Sequence, residues 1–164
     1  MIENRVIGGT CVNTGCVPKK VMFNLASFLE DSNLFKDYGV RGTGGLQLDF
    51  KTFKERRDGY VKRLNGIYAK NVENSKIDYY TGTASFEGPT DVIRSEGVSL
   101  TAEHILISCG SHPKQPNFPG VELCMNSDDI FDLEELPKSM IVLGGGYIGI
   151  EMAQIMQAFG VKTT

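Results

Sequence analysis

The sequence predicts an α/β fold, and three observations carry that expectation. Residues 140–164 read as strand, glycine turn, helix and strand, the start of a βαβ unit. Two long segments, 10–30 and 50–73, place apolar residues at helical spacing. Glycine makes up 19 of 164 residues, about 12% against a usual share of about 7%. The excess falls in loops beside strands, where nucleotide phosphates are usually held.

In order along the chain, residues 1–3 read as the last bit of a strand, because a glycine-rich loop follows soon after. Pro18 and the apolar residues Val21, Leu25, Phe28 and Leu29 predict an amphipathic helix over 10–30. A loop with Gly39, Gly42, Gly44 and Gly45 follows. Phe50, Phe53, Val61, Leu64, Ile67, Tyr68 and Val72 then predict a second helix over 50–73 with a charged outer face. Five short stretches rich in β-branched and aromatic residues, 77–81, 83–86, 91–94, 98–101 and 104–108, suggest a small meander broken by Gly82, Gly88-Pro89 and Gly97. Pro113, Pro116 and Pro119 make 110–120 an irregular crossover. The expected organisation is a first unit over 1–112, a crossover over 113–138 and a second unit from 139 to 164. Both ends look cut, so the chain reads as an internal segment of a longer protein.

The composition excludes several classes. Twenty acidic residues against 17 Lys and Arg, mixed along the sequence, leave a net charge of -3. That is no electrostatic footprint for nucleic acid or an anionic membrane. No apolar run approaches the roughly 18 residues needed to cross a bilayer. The four cysteines, Cys11, Cys16, Cys109 and Cys124, are too few and too unevenly spaced for a secreted disulfide scaffold. With no signal peptide in view, a reducing compartment is expected, the cytoplasm by default and an organelle as the other option. There a close Cys pair is more often catalytic or metal-binding than structural.

Two motifs can carry chemistry. The first is Gly8-Gly9-Thr10-Cys11-Val12-Asn13-Thr14-Gly15-Cys16-Val17-Pro18-Lys19-Lys20. Two cysteines five residues apart, across a turn that opens a helix, can close a small disulfide ring. The helix N-terminus and Lys19 would favour the thiolate after reduction. Half of a zinc site, or two buried structural thiols, are the plainer readings, although Cys109, Cys124, His104 and His112 show no paired ligand spacing. The second motif runs from Met140 through Gly144-Gly145-Gly146-Tyr147-Ile148-Gly149 to Glu151. An apolar strand enters Gly-x-Gly-x-x-Gly and a helix leaves it, which is a dinucleotide-site pattern. The side chains that choose NAD or NADP would come about 20 residues further on.

In this order the two motifs resemble the FAD-dependent pyridine nucleotide-disulfide oxidoreductases. In detail, Val-Pro-Lys-Lys-Val-Met at 17–22 is similar to the glutathione reductase branch, and Arg63-Leu-Asn-Gly-Ile-Tyr68, Thr83-Ala-Ser-Phe86, His104-Ile-Leu-Ile107 and Leu133-Glu-Glu-Leu-Pro137 extend the resemblance over essentially the whole chain. The resemblance implies part of a Rossmann-like fold with two dinucleotide-binding domains, one for FAD and one for NAD(P), truncated at both ends. It also implies electron flow from NADPH through FAD to a Cys11–Cys16 disulfide and on to oxidised glutathione, in a homodimer. Cys11 would be the interchange thiol and Cys16 the thiol against the flavin. Lys19 would sit near the flavin and pair with Glu151. Glu3, Gly9, Thr10, Ala84 and Gly110 match FAD-binding positions, along with Cys11 and Lys19. Gly144, Gly145, Gly146, Tyr147, Ile148, Gly149 and Glu151 match the NADPH site. Ile67, Tyr68 and Asn71 match glutathione contacts, with ordinary helix packing as the other reading for Ile67 and Tyr68. Arg56, Arg57 and Lys70 nearby read as a solvated face.

The chain departs from the family pattern where Ser108-Cys109-Gly110 replaces Ala-Thr-Gly. The first FAD unit, the NADPH phosphate-binding arginines and the interface domain with its His-Glu pair fall outside it. The isolated chain is therefore expected to be inactive and to expose sheet edges. A sister thioredoxin or trypanothione reductase and a non-catalytic remnant are the rival readings.

Overall fold

The computed structural model describes residues 1–42, 45–87, 89, 91–93 and 97–164. Gly44, Gly88 and Arg94, named above as loop, turn and strand residues, lie outside that set.

Strand β1 (Ile2–Glu3) leads through a glycine turn into a short helix α1 (Gly9–Asn13), and helix α2 (Cys16–Leu34) follows after a sharp corner. The single helix expected over 10–30 is thus two, and α2 runs on through a 3-10 turn at Phe35–Tyr38. The break comes at Thr14-Gly15, where the chain turns too tightly for helical hydrogen bonds to continue. The buried stripe of α2 is Pro18, Met22 and Ala26, with Leu25 and Leu29 beside it. Phe28, expected to face inward, lies 55% exposed, because the i, i+4 row through Met22 and Ala26 takes the inner face.

Helix α3 (Phe50–Asn74) starts where expected. The Asp49 side chain accepts from the Thr52 N–H at 3.0 Å and caps it. That bond and the Thr52 hydroxyl hold the Asp49 carboxyl below its ordinary pKa. The cap's stabilising effect is therefore present at neutral pH and lost as pH falls through the acid range.

Beyond α3 the strands are short. Strand β2 (Tyr80–Thr81) pairs with β1 in parallel, Ile2 opposite Tyr80 and Glu3 opposite Thr81, so it leaves the meander to which its sequence assigned it. Strands β3 (Ser85–Phe86), β4 (Asp91–Ile93) and β5 (Ser99–Thr101) form the antiparallel meander. Residues 104–108, expected to be a further strand, join no ladder among the described residues, with Leu106 89% exposed. A strand is defined by its ladder partner, and apolar sequence alone does not supply one. Two 3-10 turns, Val121–Leu123 and Asp129–Asp132, break the irregular crossover. Strand β6 (Ser139–Met140), helix α4 (Tyr147–Ala158) and strand β7 (Lys162–Thr163) then form a parallel β-α-β unit.

One core joins these elements. Met22 and Ala26 of α2, Phe50 of α3, Ile130 and Phe131 of the 3-10 turn, and Met152, Ile155 and Met156 of α4 form a single buried cluster, closed by Phe159 and Val161. The cysteine-bearing helix is thereby packed directly on the helix that follows the second glycine motif. Arg57, expected on a solvated face, is instead 2% exposed. Its guanidinium donates to the Phe131 carbonyl and to Asp58 Oδ1, and it lies 5.7 Å from the Phe131 ring centroid. A buried guanidinium requires such partners, and here they tie α3 to the 129–132 turn.

Candidate functional site

Each cysteine is placed by a glycine. At Gly8, the residue before α1, φ is 113°, and a Cβ there would come within 2.7 Å of Val12 Cβ. The chain therefore enters α1 by a left-handed turn that favours glycine. Gly15, the residue before α2, lets the α1–α2 corner close: its added Cβ would lie 2.7 Å from the Thr10 carbonyl oxygen. The corner carries Cys16, the first residue of α2, back against Cys11 of α1.

Both thiols are exposed and unbridged. Cys11 is hydrogen-bonded to Cys16, and this bond, followed by burial and by repulsion from Cys16, raises the Cys11 pKa. The favoured thiolate expected from the helix N-terminus is therefore not found at Cys11. The hydrogen bond to Cys16 favours the protonated form of Cys11. Among the described residues no group of three or more His, Cys, Asp or Glu could hold a metal ion, so the zinc reading finds no further ligands there.

One turn into α2, Lys19 Nζ lies 2.6 Å from Glu151 Oε2 of α4. The two residues are 132 positions apart in sequence. Each side chain keeps roughly a third or less of its surface exposed, so solvent weakens the pair while its geometry still joins the two motifs.

The second glycine motif divides its work three ways. Gly144 turns the chain with φ 106°. A Cβ on Gly145 or Gly146 would meet nothing within 4 Å, leaving an open backbone face at the N-terminus of α4. Gly149 lets α4 lie close over the turn, since an added Cβ would sit 3.1 Å from the Gly144 carbonyl oxygen and 3.3 Å from Val142 Cγ1. Tyr147 is 76% exposed at the mouth of this turn, and Ile148 lies beside it.

The other predicted positions fall into two groups. Glu3 and Ala84 sit near the carboxyl ends of the paired strands β1 and β2, where the Gly82 N–H donates to the Glu3 carbonyl at 3.0 Å and Asn4 reaches the Thr83 hydroxyl. Glu3 Oε1 accepts from the Arg5 N–H. Gly9 and Thr10 open α1 just beyond, with φ 59° and free space at Gly9. Gly110 takes a left-handed φ of 73° after the unpaired 104–108 segment. Ile67, Tyr68 and Asn71 are all exposed on α3, so the first two are not core-packing residues here. Two residues that carried no role in the sequence, Asn13 and Asn65, join α3 to the cysteine segment by a hydrogen bond of 2.9 Å. Their polar type inside two motifs was the only available signal.

The family described as pyridine nucleotide-disulphide oxidoreductase matches residues 1–164. This chain belongs to it. Two curated relatives are glutathione reductases. That of Schizosaccharomyces pombe is 40% identical over 96% of this chain and 35% of its own length. That of Yarrowia lipolytica is 39% identical over all of this chain and 37% of its own. Among solved structures, an HOCl-induced flavoprotein disulfide reductase from Escherichia coli, RclA, superposes with a TM-score of 0.83 at 28% identity, over 99% of this chain and 34% of its own. The chain thus spans about a third of the length of the relatives it matches, and within that third it shares the flavoprotein disulfide reductase fold. No described helix is long and apolar enough to cross a membrane.

For an oxidoreductase of this family the residues present fit two dinucleotides. The open face at Gly145 and Gly146, at the start of a 12-residue helix, suits a pyrophosphate. The free space at Gly9, beside the carboxyl ends of the parallel strands β1 and β2, suits a second.

Proposed function

We propose that this chain carries the dithiol centre of an NADPH-dependent, FAD-containing glutathione-disulfide reductase that works as a homodimer. The observation that supports it most is the contact between Cys11 and Cys16 at the start of α2, on a helix whose Lys19 is ion-paired to the helix of the nucleotide motif. When bound, FAD would take a hydride from NADPH and deliver two electrons to the cysteine pair.

The chain's own residues then do the thiol chemistry. Cys11, freed of its proton, attacks one sulfur of glutathione disulfide, forming a Cys11–glutathione mixed disulfide and releasing one glutathione thiolate, which takes up a proton. Cys16 thiolate attacks Cys11 Sγ, forms the Cys11–Cys16 disulfide and releases the second glutathione. Two electrons pass from the dithiol to the substrate. The contact between Cys11 and Cys16 supports this sequence, because the second attack needs the two sulfurs side by side.

Glu3, Gly9, Thr10, Ala84 and Gly110 would hold FAD with Cys11 and Lys19. Gly144, Gly145, Gly146, Tyr147, Ile148, Gly149 and Glu151 would hold NADPH. Ile67, Tyr68 and Asn71, exposed on the helix bonded to the cysteine segment, would meet glutathione. Residues 1–112 and 139–164 would belong to the FAD and NAD(P) units, with 113–138 between them. The test is NADPH oxidation by the protein at the length of its relatives, with the disulfides of glutathione, trypanothione and thioredoxin offered separately. Turnover is expected with glutathione disulfide; turnover with either of the others alone would overturn the substrate assignment. The isolated 164-residue chain is expected to show none.

A further inference from the structure

The segment that carries Cys11 is bonded to α3 through the side chain of Asn65. Asn65, on α3, donates through Nδ2 to the Ile7 carbonyl at 2.7 Å and to Asn13 Oδ1 at 2.9 Å. Asn13 lies between the two cysteines, and its own Nδ2 donates to the Gly9 carbonyl at 2.9 Å. Backbone carbonyls only accept, so both amides have one orientation: each Nδ2 must face a carbonyl, and Asn13 Oδ1 is left facing Asn65. Both Asn65 protons are thus spent on residues 7–13.

Packing secures the inner side of the segment, where Val12 is buried, and leaves the Asn13 side open. A cavity of about 220 Å³ lies against the same place, lined by Asn13, Thr14, Pro18, Arg57, Asn65 and Phe131 among others. On that open side the hydrogen bonds of Asn65 tie residues 7–13 to α3.

We propose that Asn65 is a positioning residue of the dithiol, which fixes Cys11 against Cys16 by holding Ile7 and Asn13 and so sets the equilibrium between the dithiol and its disulfide. The inference rests on the reading of Cys11 and Cys16 as a redox pair. Closing the disulfide joins the two sulfurs and removes two electrons and two protons, which a glutathione disulfide buffer accepts by becoming two glutathione molecules. The equilibrium constant measures how concentrated each thiol is in the presence of the other. Cutting the tether lowers that effective concentration.

The experiment equilibrates the protein at the length of its relatives with glutathione redox buffers and scores Cys11 and Cys16 by alkylation and peptide mass. Asn65→Leu keeps the bulk and removes both donors. Asn65→Asp keeps the shape and places a carboxylate against the Ile7 carbonyl. Each is expected to lower the closure constant about ten-fold, a rise in potential of about 30 mV. Combining Asn65→Leu with Asn13→Ala is expected to add less than two-fold to the larger single effect, because the Asn65–Asn13 bond is common to both and all the bonds restrain the same residues 7–13. Folded variants matching the unaltered protein within two-fold would overturn the tether, as would fully additive effects. If neither Asn65 variant folds, Asn65 is a folding determinant and the proposal is equally overturned. If the unaltered protein forms no Cys11–Cys16 disulfide in any buffer, it is the redox-pair reading that has failed.

Discussion

Replacing Cys16 with alanine in the protein at the length of its relatives is expected to abolish disulfide reduction, a loss on the order of 10³-fold or more. Cys11 could still open a substrate disulfide, but no second sulfur would release it, and the mixed disulfide would accumulate. The same variant should change how Cys11 titrates. Its pKa is raised chiefly because its thiol donates to Cys16, with burial and charge repulsion from Cys16 adding in the same direction. Removing Cys16 removes the first and third causes, so the Cys11 pKa falls toward that of free cysteine. Alkylation of Cys11 should then begin at lower pH in the variant than in the unaltered protein. An unchanged or upward-moving alkylation profile would mean that the two sulfurs do not share a proton.

Arg57→Ala is expected to give the largest loss of stability among the polar substitutions, about 2–4 kcal/mol by denaturant unfolding. The Arg57 side chain is almost fully buried, and its removal orphans the Phe131 carbonyl and leaves a void between α3 and the 129–132 turn. The Asp58 partner keeps 46% of its side-chain surface exposed, so water can replace that half of the interaction. The Phe131 carbonyl, by contrast, is buried and loses its guanidinium donor outright. A loss below about 0.5 kcal/mol, the size of an ordinary surface change, would mean that the tie is dispensable.

The Arg57 result also shows what the sequence held and how it was misread. Phe50, Arg57 and Leu64 recur every seven residues, so Arg57 lies in the apolar stripe of α3. Its charge pointed outward while its position pointed inward, and a partner carbonyl 74 residues away decided between them. The glycine motifs were legible because they are local: a turn, an open face and a close approach each impose glycine at a fixed offset. The Lys19–Glu151 pair was legible only through the resemblance, since nothing in spacing joins positions 132 residues apart. The unpaired stretch 104–108 and the short β6 were misjudged in extent for one reason. Leu106, Ile107, Ile141 and Leu143 have strand-forming sequence, yet all are exposed, and pairing depends on neighbours a single segment does not specify. Asn13 and Asn65 escaped notice because a polar residue in a motif has no periodicity to betray it.

The most direct test of the account is an anaerobic titration of the oxidised protein, at the length of its relatives and loaded with FAD, using NADPH, with each cysteine scored by alkylation at every step. Cys11 and Cys16 are expected to become reactive together, after two electrons per site, while Cys109 and Cys124 stay unchanged throughout. Reactivity that never appears at Cys11 and Cys16, or that appears at Cys109 and Cys124 instead, would contradict the assignment of this pair as the redox centre.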